Sequence, residues 1–469
     1  MKAGVKVALA VTAWLLLLVP LWAKTILVSR AHLDLEELQR YEALGASPVF
    51  AYIPIAVYGE YLPDIAPATE LVLNRDLEDL GSARRFSVAA ECSTAVELCV
   101  DVKLGEHNIL GLNNTSSHLE VTIDKKTMVS GTAAEIVGLL LFEHIYKDEV
   151  LPETMSREEL TVSYSPKFHL TFSLLGEGGA TLDWDIAEAL QQYMAPLISD
   201  INATVASVTI DAQTGSYAAL GCERKPEIEE SDLSTFVDFA EWSLASILPY
   251  PTLNFVLYVP TSPLEIVGKD RANSFIIPQW GGIYVAKPHA GAHHFSAADL
   301  EPMLQRFSKQ LLALLGMREP LQYSDASKAS PRVRLNKLAR EYTSRGVRQA
   351  MASLGSLRRL AENMPLIAIP DQVAERVQTA MAAIDNALVS LKQCRGIDAA
   401  HYTAVAFESA DQAFFDKHMV AQAFFPDDQK LAVYMPLIGP LCIVVFSCWF
   451  RFVKQRKAAK AVQKEKPRN

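Results

Sequence analysis

Residues 431–450 contain no charged side chain, and a tail crowded with Lys and Arg follows them. Twenty residues of this kind, rising about 1.5 Å each in a helix, cover a hydrocarbon core of roughly 30 Å. In lipid a helix satisfies its own backbone polar groups, so the stretch is predicted to be a transmembrane helix. Asp427 and Asp428 precede it. Arg451, Lys454, Arg456, Lys457, Lys460, Lys464, Lys466 and Arg468 follow, against the single acid Glu465. The positive-inside bias assigns residues 451–469 to the cytosol, and the chain upstream then lies across the membrane until another span returns it.

Val7–Ala23 offers that span, as an uncharged run of seventeen residues after Lys2 and Lys6. A cleaved signal peptide competes with a retained helix here. The run is longer than the usual apolar region of about 7–15 residues, and Leu21 and Ala23 make a poor small-x-small cleavage site. A retained helix can extend through Ile26, Leu27 and Val28 while Lys24 snorkels to the interface. The retained reading divides the chain into a cytosolic N-terminus at 1–6, a first span at 7–28, a large domain at 29–430, a second span at 431–450 and a basic cytosolic tail at 451–469. Apart from Lys24 neither span holds Asp, Glu, Lys, Arg or His, which argues against a proton relay or ion path. Pro436 and Pro440, with Gly439 between them, predict a kink whose gap faces another helix or a lipid.

Charge narrows the function classes. Eight bases against one acid put +7 in the tail, so a total of -10 leaves -17 for the rest, and no nucleic-acid partner is expected. Of six cysteines, Cys442 and Cys448 fall in the second span, while Cys92, Cys99, Cys222 and Cys394 lie in an oxidising compartment. Cys92 and Cys99 are near enough in sequence for a local bridge; free buried thiols are the other reading. Asn113, Asn114 and Asn202 begin N-x-Ser/Thr glycosylation sequons, all between the spans.

Residues 24–48 read as an amphipathic connector ended by Pro48. Short strands are predicted at Val49–Tyr58, Arg85–Ala90, Leu98–Leu104 and Leu119–Ile123, and a helix at Thr132–Tyr146. Thr161–Ser163 and Phe168–Leu175 are strand-like. A Gly-rich turn (Gly176, Gly178, Gly179) and Asp183-Trp-Asp185 then introduce an amphipathic helix to about Ile198, where Pro196 is expected to kink or end the last turn. Strand-like Val205–Ile210 and Ser216–Leu220, a helix at Leu233–Ile247 and an almost fully apolar strand at Leu253–Val259 complete an alternating pattern. From Ala297 strand signals stop, and helices are predicted at Ala297–Leu315, Ser330–Ala361, Gln372–Cys394 and Ile397–Ala423. The expected fold is an α/β domain, a mixed sheet flanked by helices and helix-rich from about 297 to 423, between two single transmembrane helices.

Catalytic signatures are scarce. The turn at 176–179 lacks a Walker lysine and the G-x-G-x-x-G spacing, and Glu177 and Asp183 surround it, so a plain turn outweighs a phosphate site. His289, His293 and His294 gather in KPHAGAHHF, but Pro288 and Gly291 favour a loop over a zinc helix. Neither G-x-S-x-G nor H-E-x-x-H occurs, and nothing local to Cys222 or Cys394 marks a nucleophile. No catalytic residue, metal or cofactor is expected. PQWGGI (Pro278–Ile283) reads as a tight loop feeding a strand at Ile283–Val285, with a contact surface centred on Trp280 as the functional alternative.

Several stretches together resemble the PIG-S family of glycosylphosphatidylinositol (GPI) transamidase subunits. They are VPLWAKT (Val19–Thr25) with Arg30-Ala31, LTFSLL (Leu170–Leu175) with WDI (Trp184–Ile186), YPTLNFVLYVP (Tyr250–Pro260), PQWGGI and FFPDDQKLAVYMPL (Phe424–Leu437). Their order and their placement relative to the two spans agree with that family; residues 45–160 match it only weakly. The resemblance implies an endoplasmic reticulum membrane glycoprotein with both termini cytosolic and residues 29–430 lumenal. It implies a non-catalytic role in attaching GPI anchors to precursor proteins, beside a caspase-like catalytic subunit, with the GPI lipid and the precursor as further possible contacts. Trp280, Pro436 and Pro440 are then the candidate partner or lipid contacts. A membrane-tethered lumenal hydrolase, or a surface adhesion or receptor protein with a cleaved signal, are the alternatives.

Overall fold

The computed structural model describes residues 31–419, except for short stretches that include 112–116, 151–160, 222–224, 239–241, 243–247, 268–272 and 318–330, and scattered positions between 436 and 457. Two compact units divide the chain. One comprises Met1–Glu42, Ser353–Thr379 and Ser409–Asn469, the other Ala43–Ala352 and Ala380–Glu408.

In the larger unit the strands form two five-stranded sheets rather than one mixed sheet. The first contains β1 (Ala51–Tyr58), β2 (Arg84–Ala89), β3 (Leu98–Leu104), β4 (Ile109–Gly111) and β5 (His118–Ile123), in the order β2-β1-β3-β5-β4. Only β4 runs antiparallel. β1 tolerates Pro54 because its pairing with β3 begins one residue later, at Ile55 with Leu98. The Pro54 carbonyl accepts the Glu97 N–H just before that pairing starts. A helix at Ile65–Asp79 and another at Ala133–Leu141, continued by a π-turn at Phe142–Tyr146 and by Lys147–Val150, supply the first core with Leu73, Leu77, Val137, Leu141 and Tyr146.

The second sheet is built from β6 (Lys167–Gly176), β8 (Ser207–Gly215), β10 (Thr252–Val259), β12 (Ser274–Ile277) and β13 (Gly281–Val285), in the order β12-β13-β10-β6-β8. Here only β12 is antiparallel. Short parallel pairs join β7 (Leu182–Trp184) to β14 (His293–Phe295) and β9 (Glu227–Glu229) to β11 (Glu265–Val267). β10 is central and buried along nearly its whole length, as its apolar run predicts. The period of two sends Leu253, Phe255, Leu257 and Val259 into one core and Val256 and Tyr258 into another.

In chain order, helix α1 is Leu35–Gly45, α2 Ile65–Asp79, α3 Lys125–Ser130, α4 Ala133–Leu141 with its extension, α5 Ile186–Thr204, α6 Ala297–Leu315, α7 Pro331–Asn363, α8 Asp371–Lys392 and α9 Gly396–Phe414. Helix α1 forms within the expected connector and α4 to α9 follow the sequence expectations with instructive departures, whereas α2 and α3 are not among the expected helices. α5 does not stop near Ile198. A π-turn at Leu190–Met194 precedes Pro196, which occupies the first turn of the segment Ala195–Thr204, where its missing N–H leaves no bond unmade. α9 ends at Phe414, with a turn at Phe415; Lys417 and Met419 are again helical, and 420–423, the last part of the expected helix, lie outside the described residues. Of the expected helix Leu233–Ile247, Leu233 and Thr235 form a 3-10 turn and Phe236–Asp238 are not helical, with Val237 bridged to Leu220, while most of the remainder lies outside the described residues.

α7 contributes to two cores of the larger unit, that of the first sheet and one of those flanking β10. Val333 enters the first, and Leu335, Leu338, Ala339 and Tyr342 enter the second. The Tyr342 hydroxyl accepts the Ser165 N–H at 2.8 Å and donates to the Ser165 carbonyl at 2.7 Å, fixing the approach to β6.

Within the smaller unit, Glu42 accepts Arg358 at 2.7 Å and also pairs with Arg359, while Arg376 reaches Asp416 at 3.3 Å. The first expected span, 7–28, lies outside the described residues, and the second lies mostly outside. Pro436, Pro440, Ile443, Phe446, Ser447, Trp449 and Phe450 are described as helical and exposed. Among the described residues no helix is long and apolar enough to cross a membrane.

Candidate functional site

Three places gather chemistry-bearing side chains: the carboxyl edge of the second sheet, the surroundings of the Cys92–Cys99 segment, and a cavity at the junction of the two sheets.

At the carboxyl edge, where ligands of open α/β sheets bind, the loops after β6, β8, β10 and β13 meet. Glu177 accepts both the N–H and the hydroxyl of Thr261, at 2.9 and 3.0 Å. Gly178 and Gly179 have φ of +75° and +78°, and a Cβ on Gly179 would fall 2.5 Å from the Tyr217 ring. The Gly-rich turn is therefore filled by Thr261 and Tyr217, with Glu177 turned inward. The three histidines separate. His289 and His293 stack with ring centroids 3.8 Å apart, and burial followed by the neighbouring His293 charge lowers the His289 pKa. Pairing of β14 with β7 carries His294 away to Asp183 and Asp185, at 3.2 and 3.0 Å, and those bonds raise its pKa. Asp185 takes the N-cap position of α5, yet its carboxylate makes no cap bond and holds His294 instead. In the sequence the Asp183-Trp-Asp185 run marks only a helix start, because the partner histidine lies 109 residues away.

Cys92 and Cys99 form a disulfide with Cα atoms 5.5 Å apart. The His118 Nε2 lies 3.3 Å from the Cys92 sulfur. Cys92, Cys99 and His118 are the one convergence of three potential metal ligands among the described residues. With both sulfurs bonded to each other, it offers no thiolate to a metal.

The junction cavity has a volume of about 680 Å³ and is lined by β1, the Cys92–Cys99 loop, α5, α7 and the turn between α8 and α9. Its inner wall is a buried ionic cluster. Arg340 donates to Glu97 at 2.5 Å and to Glu149 at 2.8 and 2.9 Å. Arg84 reaches Glu341 at 2.7 Å and lies 3.3 Å from Glu149, and Tyr146 donates to Glu97 at 2.8 Å. Burial pushes the Glu149 carboxyl up, but Arg340, by charge and hydrogen bond, with Arg84 and Lys337, outweighs it and holds the pKa at about 2. Cys394 lines the same cavity with a free thiol and a left-handed backbone (φ 57°). Burial raises its pKa, and among the described residues no histidine lines the cavity to act as its base. The charges of the wall answer one another across 243 residues of sequence, a spacing no local motif announces.

The remaining sequence candidates are dispersed. Trp280 is half-buried against the core formed by Phe236, Trp242, Tyr258 and Ile283. It closes the β12–β13 hairpin, where Gln279 has φ 60° and a Cβ on Gly281 would meet the Asn254 carbonyl at 1.8 Å. Asn202 is exposed in the last turn of α5. Asn113, Asn114 and Cys222 lie outside the described residues, and Pro436 and Pro440 are exposed.

Comparison with known proteins adds what the geometry leaves open. The profile of PIG-S, "Phosphatidylinositol-glycan biosynthesis class S protein", matches residues 9–459. The "GPI-anchor transamidase component PIGS" of Bos taurus is 29% identical over 365 residues, covering 70% of this chain and 64% of that protein, so the matched part is under two thirds of the relative's length. The "GPI transamidase component GPI17" of Saccharomyces cerevisiae is 25% identical over 497 aligned residues, 95% of this chain and 91% of that protein. The "GPI transamidase component PIG-S homolog" of Schizosaccharomyces pombe is 30% identical over 329 residues, 66% of this chain and 58% of that protein.

Proposed function

The chain belongs to the PIG-S family, and from that premise we propose that it is a non-catalytic subunit of the GPI transamidase complex. The observation that carries this reading is a family match running from residue 9 to 459, with relatives in mammals and yeasts all named as components of that transamidase. The side chains around Cys394 accord with this division of labour: burial raises the Cys394 pKa, and no described histidine lines its cavity.

In this reading residues 7–28 and 431–450 anchor the chain in the endoplasmic reticulum membrane, both termini are cytosolic, and residues 29–430 are lumenal. A caspase-like subunit supplies the catalytic cysteine, and this chain braces the assembly that receives the GPI lipid and the precursor protein. Trp280, Pro436 and Pro440 remain its proposed partner or lipid contacts. Hydropathy, the basic tail and the motif Phe424–Leu437 support this topology.

Depletion of the protein in cells carrying a GPI-anchored reporter tests the function. The expected outcome is loss of anchored reporter from the surface and accumulation of uncleaved precursor, reversed by the full chain. A reporter that still arrives with its anchor attached overturns the proposal. Protease protection of an epitope after Asn469 tests the topology: it is digested in intact microsomes if the tail is cytosolic.

A further inference from the structure

β8 is the longest edge strand of the two sheets, nine residues against six for β2, four for β12 and three for β4. An open edge is a template for another strand, and proteins guard such edges with Lys, Pro or a short length. β8 reads SVTIDAQTG, with no Lys, Arg or Pro and a single charge at Asp211. β2, by contrast, carries Arg85 near its start, paired with Glu78. In a parallel ladder, alternate residues bond to one side. The Ser207 N–H faces the β6 side and bonds the Pro166 carbonyl, so Val208, Ile210, Ala212 and Thr214 direct their backbone groups to the open edge. Of these outward N–H groups only that of Val208 has a partner among the described residues. It donates to the Asn202 Oδ1 at 2.7 Å.

Asn202 is also the first residue of the sequon Asn202-Ala203-Thr204. Its side chain is exposed, and its Nδ2 makes no bond among the described residues. The amide therefore faces two ways, with oxygen toward the strand edge and nitrogen toward solvent.

We propose that Asn202 is an N-glycosylation site whose glycan guards the open edge of β8 against pairing with a second copy of this chain. The inference rests on the reading of residues 29–430 as lumenal. In the modification, Nδ2 bonds to the anomeric carbon of a lipid-pyrophosphate-linked oligosaccharide. The bond from that carbon to the pyrophosphate oxygen breaks, and one Nδ2 proton is released as the lipid pyrophosphate leaves. Oδ1 remains an acceptor, so the Val208 bond survives and pins the bulky, solubilising glycan beside the first outward residue of the edge. Inward-facing residues keep β6 while the sugar occupies the side that a second β8 would approach.

The test uses the full chain expressed through the secretory pathway of a eukaryotic cell and purified in mild detergent. Peptide mapping after enzymatic deglycosylation is expected to find Asn202 converted to Asp with the mass shift of a removed glycan. Thr204→Ala and Asn202→Asp both lose the glycan; the second keeps a side-chain oxygen for Val208. Both are expected to raise the self-associated fraction several-fold in light scattering, and Thr204→Ser, which preserves the sequon, is expected to leave it unchanged. An unmodified Asn202 beside a glycan at Asn113 or Asn114 overturns this inference and leaves the lumenal reading standing. No glycan at any of the three overturns both. A modified Asn202 whose loss leaves the association state unchanged refutes the guarding role, as does a Thr204→Ala chain that captures a different subunit along β8, which would make the edge a docking strand.

Discussion

The two sheets of the larger unit share one plan, four parallel strands with a single antiparallel strand at one edge, and are held by opposite means. Beside the first sheet, Arg340 on α7 bonds Glu97 and Glu149 out of water, with Arg84 and Tyr146 completing the cluster. The second sheet relies on aromatic packing: Phe172 and Phe255 stack at 5.5 Å on one face of β6 and β10, and Trp242 stacks on Tyr258 at 5.5 Å on the other. A buried ion pair adds little net stability over an apolar substitute but is costly to break one-sidedly, whereas apolar packing is lost in proportion to what is removed. The first sheet should therefore fail through single charges, and the second through lost volume.

The sharpest way to break the contrast is Arg340→Met, which leaves two carboxylates buried without their main cation. It should destabilise the first sheet by about 3–5 kcal/mol, read as faster amide exchange in β1 and β3 than in β6 and β10. Adding Glu97→Gln and Glu149→Gln should recover much of the loss by removing the stranded charges. Phe255→Ala should cost a comparable sum of about 3–5 kcal/mol in the second sheet, with no charge change able to restore it. If the triple variant is no better than Arg340→Met alone, ionic holding of the first sheet is wrong.

Acid separates the sheets next. The Glu149 pKa is about 2 in the folded chain against an ordinary value of 4.5. A depressed carboxylate stabilises fully above its unfolded pKa and loses that contribution as the pH falls through the folded value. The loss should thus spread from about pH 4.5 down to about pH 2 and total about 3 kcal/mol. Exchange in β1 and β3 should quicken over that window more than in β6 and β10, and Glu149→Gln should remove this part of the response. Equal acid sensitivity in both sheets would dissolve the contrast.

How far the sequence reveals each part follows from the same difference. β3 runs from Leu98 to Leu104 and α6 from Ala297 to Leu315, as their residues predict, because apolar period and flanking breakers are local. β10 is legible for the same reason. The separation into two sheets is not, since pairings such as Leu170 with Leu253 are chosen across long stretches of chain. Nor is the Arg340 cluster, where an ordinary helical arginine becomes buried only once Glu97 and Glu149 reach it from the other end of the domain. Within the expected helix at Leu233–Ile247, Phe236 and Val237 are not helical, and their burial among Trp242, Tyr258 and Phe275 is long-range packing that no local period reveals.

The smallest effect asks whether the second sheet owes anything to polar bonds. α6 covers its core with Leu300, Met303, Leu304, Phe307 and Leu311. The helix starts at a capping box in which Ser296 accepts the Asp299 N–H while the Asp299 carboxylate accepts the Ser296 N–H and hydroxyl. Those bonds lower the Asp299 pKa, the Ser296 hydroxyl most. Ser296→Ala removes the cap oxygen at an exposed helix end, so about 1 kcal/mol should be lost. The loss should appear as fraying of the first turn of α6, with exchange in β6 and β10 unchanged, because Phe307 and Leu311 bind two and three turns farther on. A loss spreading through β10 would mean that this sheet, too, is held by a polar contact, and that the two sheets differ less in kind than their cores suggest.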